Sequence, residues 1–595
     1  MRVSRPAAGA TKVFMRSFMS LKLLYGAVGI LVLSPVLAAA QTAPSPSQVA
    51  PRLPPLVGAP SSRITLPGAG GGAEIPPQAD KLRFCLIDFI VEGEFEDLIE
   101  ARRRLAEGLA GRCMAVSEIY KFAALLQQAY VRAGYLLARV IVPPQALDPR
   151  SRVKIKVIAG FIEGIEAGSI GEPGRSRVLQ VVAPLIGQSR LTQAQLERGL
   201  LLGGETPGVE LNATFTKGKN EGGSILVLSG RYKPVNASLY SDNALPNTFG
   251  RAQMSAVVSA NTWLGLGEQF TLSATGLPDR DIFGNEPTRR YLSGQLALPI
   301  GVDGWRFEII GTHGTTIPRV NQTSATRGTL DQWRMRLAYD AVKSRDFELT
   351  FAARFDATDE RLESTALSPA TALSVDRVRP VRGELSGVWR LRESGTTLTY
   401  GAVYSRGTPW LDARKASDAS VLLPLSRQGA DAVFNKFEGR LEVAQALPLG
   451  FTGGLSLYGQ TGFGDPLLNS EQMDIVGYRM LSGFDLGSFA GDKVWVGRFE
   501  LGYPVPFIAR GIASSWTPYL FAAMGERVYE APTALEQRLL HATNYGAGLR
   551  ALITETATGT MLYGFIEYSR QNTNRLVNGT SPDSDRVYVG ALLRH

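Results

Sequence analysis

The sequence predicts a transmembrane β-barrel of about sixteen antiparallel strands, preceded by two small α+β units of β-α-α-β-β order. Three observations predict it. Helical periodicity stops after Lys233, and the rest of the chain breaks into short segments whose side chains alternate with a period of two. The polar faces of those segments carry charges of both signs, as a water-filled lumen requires. The connections alternate between long and short, the pattern of a barrel with tight turns on one rim and extended loops on the other.

Composition sets the outer bounds. Of 595 residues, 44% are hydrophobic and 20% charged, and the mean hydropathy is -0.00. That excludes a polytopic helical membrane protein, which needs repeated runs of about 20 apolar residues. The 64 glycines and 34 prolines suit a chain of many turns. The net charge of +9 is scattered without a basic block, which points to a solvated surface and a charged pore lining rather than to nucleic acid.

The elements follow in order. Arg2, Arg5, Lys12, Arg16 and Lys22 precede an apolar run at 23–37, and Ala38, Ala39 and Ala40 supply the small residues that signal peptidase requires. Residues 1–40 therefore read as an export signal cut after Ala40; the other reading, a membrane anchor, needs a longer run. Residues 41–80 hold prolines at 44, 46, 51, 54, 55, 60, 67, 76 and 77, which prevent a sustained helix, and the glycine-rich stretch 68–72 adds flexibility. The stretch reads as a linker. Its glycines are no nucleotide loop, because no strand precedes them and no helix follows.

From Lys81 to residue 160, LRFCLIDFIVEG reads as a strand, LIEARRRLAEGLAG and VSEIYKFAALLQQAYVRAG as helices, and LLARVIVPPQ and RVKIKVIAG as strands. Residues 161–234 repeat the order, with Thr192 as the N-cap of the second helix. A small sheet with two helices on one face leaves the other face and an edge open to a partner strand. Cys85 and Cys113 are the two cysteines; an even count in an oxidising compartment favours a disulfide, two buried thiols being the other arrangement.

In the barrel, 235–595, strands are expected to begin near 235, 250, 267, 289, 304, 330, 345, 378, 396, 433, 450, 491, 515, 542, 558 and 586. Phe347, Leu349, Phe351, Ala353 and Phe355 share one face, opposite Glu348, Thr350, Arg354 and Asp356. Trp305, Trp333, Tyr503, Trp516 and Tyr568 fall near segment ends, where interfacial girdles belong. Long links are expected at 315–329, 358–377, 407–432, 462–490, 527–541 and 570–585, and short ones at 302–303, 343–344, 393–394, 447–448 and 555–556. The first strand leaves the α+β units, so every long link lies on the far, outward rim. His313, His541 and His595 are not spaced as a metal pair, and no P-loop or nucleophile elbow is present. No catalytic residue, cofactor or metal site is expected.

Tyr130, Gly134, Tyr135, Pro143, Pro144, Gln145, Gly160 and Ile165 resemble the polypeptide-transport-associated (POTRA) domain of the two-partner-secretion outer-membrane transporters. These are exporters of filamentous haemagglutinins and haemolysins. Pro207, Gly208, Val209, Gly222 and Gly223 look like a second such domain, and Asp242, Asn243 and Gly250 like the entry into the barrel. The resemblance covers about 81–595. It implies a sixth outward loop whose Val-Arg-Gly-(Phe/Tyr) tip folds into the lumen, its Arg pairing with the Asp of a Phe-x-Asp-x-Gly motif on strand thirteen. In loop 462–490, Gly477 and Tyr478 match, followed by Arg479, but Val476 stands where the Arg belongs. Phe521 and Gly525 keep the strand motif, with Ala523 in place of the Asp.

Both halves of that ion pair are missing together, which avoids a stranded charge costing about 3–5 kcal/mol. The expectation is an apolar Val476–Ala523 contact, or Arg479 reaching Glu500 or another lumen acid; the alternative is a loop projecting outward with Gly477 and Tyr478 as a turn. Arg498 and Glu500 match an Arg-x-Glu element after the loop, or form a generic lumen salt bridge. The family's plug helix should precede the first POTRA domain, and the proline-rich 41–80 offers it little sequence, which argues against a plug. The chain ends Leu592, Leu593, Arg594, His595 without the usual terminal aromatic, which weakens the expected signal to the barrel-assembly machinery.

The resemblance implies a monomeric translocator in outer-membrane lipid, inserted by that machinery. Its partner is an unfolded, β-helical exoprotein that docks on the POTRA domains in the periplasm and threads the lumen. A factor that assembles other barrels or autotransporters is the alternative, and a passive porin the third reading.

Overall fold

The computed structural model describes residues 44–51, 63–65 and 75–595, apart from 286, 320–324, 367, 535 and 575–583. The expected export signal, the glycine run at 68–72 and much of the proline-rich stretch lie outside the described residues.

A two-residue strand, β1 (Arg63–Ile64), precedes the first unit. That unit runs β2 (Arg83–Glu92), α1 (Ile99–Ala106), β3 (Cys113–Ala115), α2 (Val116–Arg132), β4 (Arg139–Ile141) and β5 (Arg150–Ile158), with sheet order β3-β2-β5-β4. Ile119, Phe122, Ala123, Leu126 and Tyr130 recur at helical spacing on α2 and bury against Phe84, Leu86, Val153, Ile155 and Val157. Burial pushes the Tyr130 phenol upward in pKa, and its oxygen accepts from the Phe95 amide at 3.1 Å. The short β3 was not anticipated from the sequence. It pairs with β2 so that Cys85 and Cys113 are direct partners, joined by a disulfide.

The POTRA-motif residues hold corners of this unit. Gly134 ends α2 at φ 92°, a left-handed conformation that favours glycine, and its carbonyl accepts from the Gln193 amide of the second unit at 2.7 Å. Tyr135 bonds Asp97 at 2.8 Å. Gln145, just after Pro144, pairs with both main-chain groups of Lys154, at 2.9 and 2.8 Å, and so pins the proline turn to β5.

The second unit comprises β6 (Phe161–Glu166), α3 (Gly174–Val182), α4 (Gln193–Gly204), β7 (Val209–Lys217) and β8 (Gly223–Tyr232). Thr192 caps α4 in a reciprocal box with Gln195. The sheet order is β1-β7-β8-β6. β1 pairs in parallel with β7 at Asn212 and Ala213.

The barrel begins with β9 (Val235–Asp242), β10 (Gln253–Asn261), β11 (Gln269–Thr275), β12 (Arg289–Ile300), β13 (Trp305–Thr316), β14 (Thr326–Lys343) and β15 (Phe347–Ser364). It continues through β16 (Thr371–Val378), β17 (Pro380–Leu391), β18 (Thr396–Gly407), β19 (Asn435–Ala446) and β20 (Thr452–Thr461). Loop 462–490 contains β21 (Met473–Asp474), which pairs with β22 (Ala490–Gly491). The wall resumes with β23 (Lys493–Gly502), β24 (Val505–Ala509), β25 (Ile512–Val528), β26 (Leu539–Glu555), β27 (Met561–Thr573) and β28 (Ser584–Arg594). β16 and β17 share one position in the wall, as do β23 and β24, giving sixteen antiparallel positions closed by β28 on β9. Trp333, Met335, Leu337 and Phe351 face outward and are exposed, as a lipid-facing surface demands.

Several links are shorter than expected. β15 runs on to Ser364 and β14 begins at Thr326, so the strands rise past the apolar band. There Thr358 and Glu360 stay buried inside, while Asp359 and Arg361 occupy the outer face, which removes the alternation that betrays a strand in sequence. The second α+β unit docks on the short-turn rim: Arg198 meets Asp303 at 3.2 Å, Arg177 donates to the Gly301 carbonyl at 2.6 Å, and Glu197 meets Arg345 at 2.8 Å.

Candidate functional site

The lumen is lined by charge. Arg334, Arg354 and Arg382 converge on Asp356 at 3.3, 3.3 and 2.8 Å, and Arg336 reaches Glu384 at 2.8 Å. Alternation places all of them on inner faces, and register brings β14, β15 and β17 to one height.

Loop 462–490 folds back into this space. Ile475, Val476, Leu481 and Phe489 pack in one apolar cluster with Val494, Val496, Ala523, Leu540, Ala542 and Tyr563 of the wall. Val476 and Ala523 are thus both buried in the same cluster. Tyr478 lies inside the barrel, its hydroxyl bonded to that of Tyr563 and its ring 4.6 Å from Phe565. Gly477 has φ 143° and Arg479 φ 60°, so the tip turns through left-handed geometry. Arg479 sits 3.7 Å from Glu442. Gly525 leaves room for the loop: a Cβ there would stand 2.9 Å from Ile475 Cδ1 and 2.7 Å from the Trp495 carbonyl oxygen.

Arg498 grips both wall and loop. Its guanidinium meets Glu567 and Glu500 at 2.7 Å each, donates to Ser482 Oγ at 2.8 Å and to the Met480 carbonyl at 3.4 Å, and lies 3.8 Å above the Phe521 ring. Glu500 in turn holds Arg550 at 2.6 Å, and Tyr519 donates to Glu567 at 2.6 Å. A fully buried guanidinium needs this full set of acceptors to offset its desolvation. Glu471 makes a second anchor, at 2.7 Å from Arg382 and 2.8 Å from Lys436. Asp474 shapes the loop itself by accepting from the amides of Gly487 and Phe489 at 2.8 and 3.2 Å.

Residues 44–51, read from sequence as part of a linker, also sit in the lumen. Tyr291 donates to the Pro46 carbonyl at 2.5 Å and Arg289 to the Val49 carbonyl at 2.8 Å; the Ser47 amide donates to Glu360 at 3.2 Å, and Gln48 to Gln472 of the loop at 3.2 Å. Within 44–51 the chain forms a tight turn closed by the Gln48 and Val49 amides on the Ser45 carbonyl. The expectation against a plug is corrected to this extent: 44–51 lies in the lumen, held through its main-chain carbonyls.

Sequence reasoning missed Glu567, Glu471, Arg382, Tyr519 and Arg550. Glu567, Arg382, Tyr519 and Arg550 are inward residues by alternation, which was the available signal, and the height at which each meets its partners comes from strand register; Glu471 lies in the loop, where no periodicity marks it. His313 and His541 each pair with one carboxylate, Asp331 and Glu526, at 2.7 Å.

A family model described as haemolysin secretion/activation protein ShlB/FhaC/HecB matches residues 222–551, more than half of the chain, and one described as a ShlB-type POTRA domain matches 89–160. The haemolysin transporter protein ShlB of Serratia marcescens is 24% identical over 404 residues, 65% of this chain and 66% of that protein, so the match spans just under two thirds of its length. The heme/hemopexin transporter protein HuxB of Haemophilus influenzae is 20% identical over 73% of this chain and 75% of its own. Among solved structures, CdiB from Escherichia coli superposes with a TM-score of 0.67 at 18% identity, covering 96% of this chain and 98% of that one.

Proposed function

The chain belongs to the haemolysin secretion/activation protein family, and from that premise we propose that it is an outer-membrane translocator for an exoprotein. The α+β units, 81–160 and 161–234, lie in the periplasm and receive the cargo unfolded; the barrel, 235–595, conducts it outward. The observation that carries this reading is the docking of strand-edged units on the short-turn rim of a closed barrel whose charged lumen holds an anchored loop and a lightly attached chain segment. Main-chain bonding at a sheet edge gives affinity with little demand on cargo sequence. Away from the apolar cluster that the loop covers, the lumen's mixed charges keep the path hydrated, which limits sticking of an unfolded chain.

Deleting 81–233 is expected to abolish exoprotein release while the barrel still enters the membrane; undiminished release removes the docking role. Barrel assembly, the competing reading, would open the β28–β9 seam, where 590–594 pair with 238–242. Crosslinking that seam with Leu239→Cys and Leu593→Cys should leave export intact. Loss of export on oxidation, restored by reduction, would favour the assembly reading.

A further inference from the structure

The short turns of the rim divide by chemistry. Turns 302–303, 343–346 and 392–394 are charged, through Asp303, Lys343 and Arg345, and Arg392 and Glu393, and the second α+β unit docks on the first two. Turn 262–268 is apolar but tied to that unit's exit, where Trp263 donates to the Pro234 carbonyl at 2.9 Å. The hairpin joining β24 to β25 is apolar and uncovered among the described residues: Phe507 is 63% and Ile508 78% exposed. Leu520 and Trp516 share the exposed outer face of β25, and register sets Val505 opposite Trp516 and Phe507 opposite Ser514, so the lipid-facing surface runs on down the hairpin. From Trp516, at the level of the aromatic girdle, to Ile512 it continues for about 13 Å of strand. The neighbouring turn 447–451 joins it: Leu449 is 87% exposed, and Phe451 packs edge-on against Tyr503 at 5.1 Å. Turn 302–303 follows the fourth wall position and the hairpin follows the twelfth of sixteen, so the docked unit and the hairpin lie half a barrel apart.

We infer that this hairpin is a membrane foot, seated among the phospholipids of the periplasmic leaflet on the side of the rim that the α+β units leave free. Three features fit lipid rather than water. Apolar side chains occupy both faces of the tip, Phe507 and Ile512 on one and Ile508 on the other, so no polar face is left to turn to solvent. The free edge is blunted in the way hydrocarbon demands. β24 pairs only with β25, and the Tyr503 amide donates to the Pro518 carbonyl at 3.0 Å, so by alternation the main-chain groups of 504, 506 and 508 point to the other, unpaired edge. Pro504 and Pro506 have no amide to expose there, which removes two donors that lipid could not satisfy. An edge that meets water is commonly guarded by charged side chains, and 503–516 holds only Arg510. Arg510 stands in the turn itself, at φ 49°, where a guanidinium meets lipid phosphates while the flanking side chains enter the leaflet. The foot thus holds the free side of the rim to the leaflet, opposite the load of the docked unit.

Fluorescence quenching in phospholipid vesicles tests the inference. Phe507→Cys, Ile508→Cys and Glu393→Cys, made singly in the full chain, each carry an environment-sensitive dye, and Cys85 and Cys113, held in their disulfide, stay unlabelled. The mobility of unheated protein on gels confirms that each barrel is folded. The dyes at 507 and 508 should lose about half their emission to phosphatidylcholine brominated on its acyl chains, and little to iodide in the water. The dye at 393, on a charged turn of the same rim, should show the reverse. Iodide quenching at 507 and 508 as strong as at 393 overturns the proposal, because the hairpin then stands in water. Protection from both quenchers overturns it too, since a protein then covers the hairpin. Phe507→Asp with Ile512→Asp, added to Ile508→Cys, should expel the tip and exchange lipid quenching for iodide quenching. Lipid quenching that survives the two charges shows that the wall alone sets the depth, and removes the anchoring role.

Discussion

Two pieces of chain share the lumen, and they are held in different ways. Loop 462–490 is fixed at several heights: Glu471 pairs with Arg382 and Lys436, Arg498 of the wall donates to Ser482 and to the Met480 carbonyl, and Ile475 and Val476 sit in an apolar cluster. Segment 44–51 has no ion pair among the described residues. It offers main-chain carbonyls and one amide to Tyr291, Arg289 and Glu360, and only Val49 joins the cluster. Water can replace each of those partners once the segment leaves; it cannot replace Glu471 beside the buried Arg382 and Lys436 at comparable energy. The loop is therefore part of the wall's inner structure, and the segment is the removable part.

Breaking the loop's anchors should produce the largest effects. Arg498→Met strands Glu567 and frees the Ser482 and Met480 contacts, an expected loss of about 3–5 kcal/mol. Thermal melting of the folded barrel, followed by its shift in gel mobility, reads this out, together with new protease cuts within 462–490. Adding Glu567→Met should recover a substantial part, because both buried charges then go. A single variant that melts like the parent would show that the loop is not anchored here. Glu471→Gln should cost less, about 2 kcal/mol, since Arg382 keeps Asp356 and Lys436 keeps Glu438 and the Glu471 carbonyl. Smaller again is Gly525→Ala, whose one added carbon crowds Ile475 and should cost about 1 kcal/mol. Its expected signature is loop cleavage by added protease with little change in melting. Deleting 44–51 sharpens the contrast from the other side: melting should stay near that of the parent while conductance in planar bilayers rises.

The wall was far more legible than its contents. Strand starts at 235, 289 and 396 in the sequence reading coincide with β9, β12 and β18, because a half-lipid, half-water environment writes a period of two directly into the chain. The overestimated links at 358–377 and 315–329 mark where that rule lapses, since Arg361 and Asp359 meet water on the outer face and alternation disappears. Pairings inside the lumen follow a different logic. Arg498 and Glu567 are both identifiable as inward residues, yet they lie 69 positions apart, and their meeting depends on the stagger accumulated across β23, β25, β26 and β27. The Val476 and Ala523 replacements were visible as a joint loss. That Arg498, already noted for its Arg-x-Glu spacing, grips the loop through Ser482 and Met480 was not, because one of those acceptors is a carbonyl that every residue possesses. Residues 44–51 were misjudged for the same reason: composition reveals a stretch that cannot form a helix, and is silent about carbonyls that a tyrosine on a distant strand will find.

Tyr291→Phe gives the smallest effect and the most specific one. The ring is fully buried on β12, and losing its hydroxyl removes one hydrogen bond, to Pro46, without touching any wall pairing. Melting should not move. The occupancy of 44–51 should fall, because about 1 kcal/mol of attachment is lost, equivalent to roughly fivefold in the ratio of filled to vacated lumen. Single-channel recording reads that ratio as the fraction of time spent in the higher conducting state. If the deletion raises conductance and Tyr291→Phe changes nothing, the segment is held by Arg289 and Glu360 instead. If Tyr291→Phe alone opens the pore as fully as the deletion, the hydroxyl is the latch, and the remaining contacts only follow it.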